Sequence, residues 1–321
     1  MLTKANISIR EMTHENLQLA ERYFRDASSA GHFRARTEEK YRVTLDRFLK
    51  DVGKKFIDIT TDDINDFTYR AQKRGNANST ICGTLHAVKW IIKELQEDGV
   101  IDKEKINLNK VIFPKIDRKG VMYLTIEEIK KFFALIEAEI KQCKATRIIR
   151  TMTLYTLLLE SGARISEALS IKIKDVDLEN REIPIIGKGG KPRTLFIRDK
   201  SVYWIKRYLE KRQDRNEYLF VNRAGDNQWS YNDVCRSFQR YKKLSGISKD
   251  FTIHTFRHTF ATQLLLNGLS INKVSFLLGH ERLETTIKYY IGIIDKMEAR
   301  KIEDKYFDFV PQAALKVSVM Q

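Results

Sequence analysis

The chain contains little cysteine, proline or glycine: 3, 4 and 15 of its 321 residues. The cysteines, Cys82, Cys143 and Cys235, lie far apart and show no CxxC spacing. They therefore do not predict a disulfide scaffold or a zinc site, and they suit a reducing compartment. So little proline and glycine, with 42% apolar residues, excludes collagen-like and low-complexity disordered chains.

Long apolar runs are also missing. No stretch approaches the roughly 20 apolar residues that are needed to span a bilayer. The N-terminal segment MLTKANISIREMTHEN has no apolar core of signal-peptide length. These absences predict a cytoplasmic protein, with no membrane partner.

Basic residues are what the chain has in excess. Lysines and arginines number 58 against 42 aspartates and glutamates, which gives a net charge of +16 and a pI near 9.6. Such a charge attracts polyanions, because each bound phosphate releases condensed counterions. A basic chain can also be no more than a well-solvated surface. Charge therefore indicates a class of partner, nucleic acid, and no activity.

The spacing of apolar residues predicts a mainly helical chain in two domains. In the first third, apolar residues recur at helical spacing in four segments that glycines and caps separate. These segments are about 14–27, 37–52, 62–75 and 79–98. Four such amphipathic helices make one small bundle, which we expect over residues 1–110. Polar and basic residues around a single proline predict a linker over 111–120.

The second domain, expected over 121–321, combines helices with one small β-sheet. Thr125 and Glu128 have the spacing of a capping box before an amphipathic helix. Segments 182–186 and 193–197 flank the turn GKGGKP, which predicts a β-hairpin, and 218–222 is a candidate third strand. Further helices are expected at about 146–160, 201–213, 231–244, 255–267, 271–278 and 283–293, before a loosely held tail.

Two arginine-containing segments are candidates for phosphate binding. In SGARISEALS, Arg164 follows a glycine turn, and its planar guanidinium suits two phosphate oxygens. Such an arginine more often pairs with a nearby carboxylate, and Glu167 is available. In HTFRH, His254 and Arg257 share a helix face. His254 and His258 also have zinc-pair spacing, but the glutamate of a zinc protease motif is missing.

A basic turn and the segment LGHERLETTIKYY complete the candidates. Lys188 lies at the predicted hairpin tip, where it either reaches a DNA groove or an active site or stays solvated. The turn does not fit a nucleotide-binding P-loop, because Lys-Pro stands in place of Lys-Ser or Lys-Thr. His280 precedes Tyr289 by nine residues. A phenol can attack a phosphodiester and hold the broken strand covalently, and Tyr290 is a rival for that role.

In this order and spacing, the segments resemble the tyrosine recombinase family of phage integrases and Xer-like enzymes. The matching residues are Gly162, Arg164, Ser166, Glu167, Lys188, His254, Arg257, His258, Leu278, Gly279, His280 and Tyr289. The catalytic match covers about 120–295, and the preceding bundle looks like the family's core-binding domain. Phe256 stands where leucine is frequent, and Tyr290 stands where Xer members commonly begin a Thr-His pair.

The resemblance implies a site-specific recombinase that cleaves and rejoins DNA through a 3′-phosphotyrosyl intermediate. Its arginines would bind the non-bridging phosphate oxygens, its lysine would protonate the departing 5′ hydroxyl, and its histidines would transfer protons or donate hydrogen bonds. No cofactor and no metal is implied. The catalytic residues that it implies are Arg164, Lys188, His254, Arg257, His280 and Tyr289.

The implied partner is double-stranded DNA with specific recombination sites, bound near the nucleoid by a homo-tetramer or together with a paralogous recombinase. Xer-like chromosome-dimer resolution and integration of a phage or other mobile element both fit. A type IB topoisomerase is an alternative that the compact helical first domain argues against. A catalytically reduced DNA-binding regulator is another, and the complete residue set argues against it. We expect the apolar stretch around Ile302, Tyr306, Phe307, Phe309 and Val310 to dock on a neighbouring subunit.

Overall fold

The protein divides into two compact units. A computed structural model describes residues 4–31, 33, 35–116, 120–143, 145–187 and 190–306. Contacts within the chain separate the unit Met1–Arg118 from the unit Lys119–Gln321. The division falls within the polar stretch 111–120.

Four α-helices lie in the described part of the first unit. They are α1 (Lys4–Ser29), α2 (Ala35–Val52), α3 (Thr61–Lys73) and α4 (Asn78–Glu97). The sequence predicted the start of α1 near His14, which is wrong. The helix begins at Lys4, because residues 4–13 contain no proline or glycine that would interrupt it. Side chains such as Phe24, Phe48 and Ile91 meet in one apolar core between the helices.

The second unit has eight α-helices and one two-stranded sheet among its described residues. The helices are α5 (Ile126–Cys143), α6 (Thr146–Ser161), α7 (Ile165–Leu169), α8 (Asp199–Lys211), α9 (Tyr231–Ser245), α10 (His254–Leu266), α11 (Ile271–Leu278) and α12 (Leu283–Tyr306). The strands are β1 (Glu182–Ile186) and β2 (Pro192–Phe196).

Helix α6 lies at the centre of this unit. It is apolar around most of its circumference, so α5, α8 and α10 can all pack against it. The predicted capping box at the start of α5 is confirmed. The Thr125 amide donates to Glu128 Oε2 at 2.8 Å, and the Glu128 amide donates to Thr125 Oγ1 at 3.3 Å.

The predicted hairpin is present, and the candidate third strand is not. Strands β1 and β2 pair antiparallel, with Ile185 opposite Arg193. In the segment 218–222, Tyr218 and Val221 form only isolated bridges, to Lys172 and Gln228. The segment does not extend the sheet, because its two bridges go to different partners and neither partner belongs to the hairpin. The fold class, mainly α with a small hairpin, is confirmed.

Helix α12 is longer than predicted. The sequence placed its end near residue 293, whereas the helix continues to Tyr306. The stretch that we expected to dock on a neighbouring subunit, Ile302 to Val310, lies outside the residues whose side chains the structure describes. None of the described helices is long and apolar enough to cross a bilayer.

Candidate active site

A glycine at the end of α6 places the first arginine. Gly162 ends the helix in the left-handed conformation, with φ of 63°. A Cβ atom at this position would lie 2.4 Å from the Phe260 ring, so both the backbone conformation and the packing require glycine. The chain then turns, and Arg164 becomes the residue that immediately precedes α7.

Glu167 holds two arginines at once. Its Oε1 accepts a hydrogen bond from Arg164 Nη1 at 2.7 Å, and its Oε2 accepts one from Arg193 Nη2 at 2.7 Å. The carboxylate is only 4% exposed. Burial alone would raise the pKa of Glu167, but the hydrogen bonds from Arg193 and Arg164 and the charge of Arg193 hold that pKa below its usual value. Arg164 therefore pairs with a carboxylate, as the alternative interpretation of the sequence had it, and it also lies at the candidate site.

The second arginine connects three motif segments. Arg257 is buried on α10, and its Nη1 donates to the Gly162 carbonyl at 2.6 Å. Its Nη2 donates to the Leu278 carbonyl at 2.6 Å. Burial, with the charge of Arg164, lowers the pKa of Arg257 to about 9, which still leaves the guanidinium charged at neutral pH. One side chain thus fixes the turn before Arg164 relative to the Leu-Gly-His turn.

The Leu-Gly-His turn is built around a third arginine. Gly279 ends α11 with φ of 62°, and a Cβ atom there would lie 2.5 Å from Arg193 Cδ. Arg193 Nη1 donates to the Leu277 carbonyl at 2.8 Å. His280 follows, and its Nδ1 lies 2.7 Å from the hydroxyl of buried Thr286. This contact leaves Nε2 as the nitrogen of His280 that is available to a ligand.

The histidines of the site favour the neutral form. Burial lowers the pKa of His280 to about 4, and the nearby charges of Arg257 and Arg164 add to the effect. Burial and the same two arginines also lower the pKa of His254. Near neutral pH, both imidazoles are therefore uncharged, so each can accept a proton or a hydrogen bond.

The two adjacent tyrosines of α12 differ sharply in exposure. Tyr289 is 51% exposed, whereas Tyr290 is 2% exposed. The Tyr290 hydroxyl lies 2.9 Å from His258 Nδ1, and burial raises the pKa of Tyr290. The Tyr289 ring centroid lies 5.9 Å from that of His258, so the exposed phenol lies next to the segment HTFRH, residues 254–258. The geometry favours Tyr289 over Tyr290 as a nucleophile.

The structure brings most of the sequence-predicted residues into one region of the second unit. Beside burial, the charges of Arg257 and Arg164 lower the pKa of both His254 and His280, so both histidines lie near the two arginines. Lys188 lies outside the described residues. Among the described residues, no three histidine, cysteine, aspartate or glutamate side chains are grouped to hold a metal ion.

Sequence reasoning missed Arg193. It was assigned only to a strand, yet it joins Glu167 to the Leu277 carbonyl. The hairpin register contained a usable signal. Arg193 lies opposite Ile185 and on the same face as buried Leu195, so the strand carries an arginine on its inward side. A charged residue at such a position requires a buried partner.

Comparison with known proteins identifies the family to which the chain belongs. Residues 122–295 match the model of the phage integrase family. Tyrosine recombinase XerC of Roseiflexus castenholzii is 28% identical over 281 residues, which cover 84% of this chain and 87% of that protein. Tyrosine recombinase XerC of Thermodesulfovibrio yellowstonii is 31% identical over 250 residues, covering 72% and 80%.

A solved structure supports the same assignment. The XerH site-specific recombinase bound to difH substrate, in a pre-cleavage complex, is 25% identical and superimposes with a TM-score of 0.62. The match covers 78% of this chain and 74% of that one. From its matched residues and its fold, the chain belongs to the phage integrase family and is a tyrosine site-specific recombinase.

Proposed function

We propose that the chain cleaves and rejoins double-stranded DNA at specific sites, with Tyr289 as the nucleophile. The observation that carries the proposal is the double bridge of Arg257, from the Gly162 carbonyl to the Leu278 carbonyl. This bridge gathers Arg164, His254 and His280 beside an exposed tyrosine. The residues thus supply positive charge, neutral imidazoles and a phenol where one phosphodiester would bind.

The arginines would stabilise charge on the phosphate. A guanidinium has five N–H groups, and Arg257 uses two of them on carbonyls. Three donors therefore remain for the non-bridging oxygens. Arg164 uses Nη1 on Glu167 and keeps its other donors. As Tyr289 attacks, negative charge grows on those oxygens, and fixed donors stabilise the transition state more than the substrate.

The proton transfers follow from the neutral histidines. The Tyr289 oxygen would bond to phosphorus as the bond to the 5′ oxygen breaks, leaving a 3′-phosphotyrosyl ester. The phenol proton would pass to His254, which is unprotonated near neutral pH because burial and nearby positive charge lower its pKa. His280, held by Thr286, would donate a hydrogen bond from Nε2 to a phosphate oxygen.

Lys188 would donate the proton to the departing 5′ oxygen. This role rests on the family resemblance and on the position of Lys188 in the GKGGKP turn, between β1 and β2. A 5′-thio leaving group needs no proton, because a thiolate leaves readily. Lys188→Ala should therefore slow cleavage of ordinary DNA while sparing the 5′-thio substrate. Equal defects on both substrates would remove Lys188 from the role.

The first unit would serve as a core-binding DNA domain, with 1–110 before a linker at 111–120 and the catalytic domain at 121–321. Its compact helical core supports a folded DNA-binding module. We place the enzyme in the cytoplasm, at the nucleoid, acting as a homo-tetramer or with a paralogous recombinase on two sites. Its task would be Xer-like dimer resolution or mobile-element integration.

A trapping experiment tests the nucleophile. A nicked suicide substrate loses its short 5′-hydroxyl strand after cleavage, so the covalent complex accumulates. Wild-type protein and Tyr290→Phe should give a DNA adduct on denaturing gels, and Tyr289→Phe should give none. Tyr290→Phe is the matched control, because it removes the adjacent phenol. An adduct that persists in Tyr289→Phe would overturn the assignment.

A further inference from the structure

A second group of arginines lies far from the candidate active site. Arg147, Arg150 and Arg223 line two adjoining cavities of the second unit, of about 560 and 360 Å³. Arg150 precedes Gly162, at the end of α6, by twelve residues, which is about 18 Å along the helix axis. The cavities therefore lie at the opposite end of α6 from the site that binds the scissile phosphate.

Arg150 is the buried part of this group. It is only 8% exposed, and its guanidinium carbon lies 3.8 Å from the centroid of the Trp229 ring. Its Nη1 donates to the Val221 carbonyl, while its Nε is buried and has no hydrogen-bond partner among the described residues. A buried arginine that is only partly satisfied is costly, because no described carboxylate forms an ion pair with its desolvated charge.

The nearby carboxylates do not neutralise the group. Glu139 accepts hydrogen bonds from Arg240 at 2.8 Å and from Tyr241 at 2.7 Å, and Asp233 is paired with Arg236. No described side chain forms an ion pair with Arg147, Arg150 or Arg223. The larger cavity is lined by five arginines, one glutamate and one aspartate, so its lining carries a net positive charge.

We propose that this cavity is a phosphate-binding site, separate from the active site, which takes the phosphate groups of a polyanion. The site favours phosphate over a nucleic-acid base or another aromatic ligand, because such a ligand would need to stack on Trp229. That ring is only 3% exposed and is already covered by Arg150. Arg147 and Arg223 are exposed and unpaired, so they can close on an anion whose oxygens reach Arg150. Planar guanidiniums bind phosphate oxygens in pairs.

The phosphate comes either from the backbone of bound DNA or from a free polyphosphate. Both present closely spaced phosphate oxygens to the same arginines. Tripolyphosphate serves as the probe of the site itself, and an unrelated DNA duplex distinguishes the source. Displacement of tripolyphosphate by the duplex assigns the site to the DNA backbone. Simultaneous binding of both assigns it to a free phosphate compound.

Fluorine NMR of 5-fluorotryptophan protein gives a local readout. The chain has three tryptophans, and only Trp229 borders the cavity; Trp229→Phe assigns its resonance. Tripolyphosphate, titrated into the full chain at constant ionic strength, should shift the Trp229 resonance saturably. The resonances of Trp90 and Trp204 should stay in place, and phosphate bound only at the active site would leave all three unmoved.

Two double variants distinguish a specific phosphate site from non-specific attraction of the anion by the positive charge of the protein. Arg147→Ala/Arg223→Ala should weaken tripolyphosphate binding at Trp229 by at least about tenfold. Arg198→Ala/Lys206→Ala removes the same charge from exposed positions and should leave the affinity within about twofold. Equal losses in both double variants, or no shift of Trp229 at all, would overturn the proposal. So would tighter binding of a polyglutamate peptide than of tripolyphosphate, because the site would then fit an acidic protein.

Discussion

Tyr290 Oη lies 2.9 Å from His258 Nδ1, and this contact fixes the orientation of the helix that carries Tyr289. Consecutive residues of an α-helix point about 100° apart. With Tyr290 anchored in the core, Tyr289 must point outwards. Tyr290 therefore has a structural role beside Tyr289, the proposed nucleophile.

A double-mutant cycle measures this anchor. Tyr290→Phe and His258→Ala should each destabilise the protein in urea unfolding, with a coupling energy of about 1 kcal/mol. Tyr290→Phe should also slow cleavage in single-turnover assays while leaving the adduct detectable, because Tyr289 loses part of its fixed orientation. Strictly additive free energies of unfolding would show that the contact contributes nothing.

Arg257→Lys should be far more damaging than its retained charge suggests. A lysine ammonium cannot reach both the Gly162 and the Leu278 carbonyls and still present donors to phosphate. We expect the cleavage rate to fall by about 100-fold or more, and the free energy of unfolding by about 1–3 kcal/mol. Arg207→Lys, at a partly exposed position that contacts Tyr203, is the control and should change neither. Near wild-type cleavage by Arg257→Lys would contradict the bridging role.

Substitutions at two glycines distinguish the effect of backbone strain from the effect of a packing clash. Gly268 and Gly279 both have positive φ, but only Gly279 has a close neighbour, Arg193. Gly268→Ala should cost about 1–2 kcal/mol of stability through the backbone alone and leave cleavage unchanged. Gly279→Ala should cost more and reduce cleavage, since its Cβ would displace Arg193 from Glu167. Urea unfolding and single-turnover cleavage measure the two effects, and matching results for both variants would argue against a role for Arg193.

Stability should fall on acidification partly because of His280. Its folded-state pKa of about 4 lies below the ordinary value of 6.5, so between these values the unfolded chain binds the proton more strongly. Its contribution is therefore complete above about pH 6.5 and is lost as the pH falls towards 4. Urea unfolding of wild type and His280→Asn from pH 7 to pH 5 tests this, and the variant should show the shallower loss. Parallel pH profiles would exclude His280 as a source.

The sequence predicted the helices well where apolar periodicity and capping residues indicate the same boundaries. Residues 271–278 were predicted as a helix and form α11, and the Thr125–Glu128 capping box lies where its spacing placed it. The span of α12 was predicted too short. Residues 294–306 lack a strong apolar stripe, so periodicity did not predict them as helix. They also contain no proline or glycine that would end the helix before Tyr306.

The contacts of the candidate active site were harder to predict than the helices and strands, because they join residues that are far apart in the chain. Spacing could select Arg257 as a candidate, but not its two backbone carbonyls, 95 and 21 residues away. For Arg193, the strand pattern showed where it lies, but not that it shares Glu167 with Arg164. These contacts belong to the tertiary structure, because they depend on how the hairpin packs against α7 and α11.

The partners of Arg257 have a consequence for how this enzyme can vary. Its two acceptors are main-chain carbonyls, which every amino acid provides, so no point mutation can delete them. Sequence drift around Leu278 can alter side chains without breaking the bridge. Substitution is not tolerated at Gly162 and Gly279, where a Cβ atom would clash. It is also not tolerated at Arg257, or at Glu167, where one substitution would release two arginines together. Mutational fragility is thus concentrated in a few positions, and one of them, Glu167, is buried and paired with both Arg164 and Arg193.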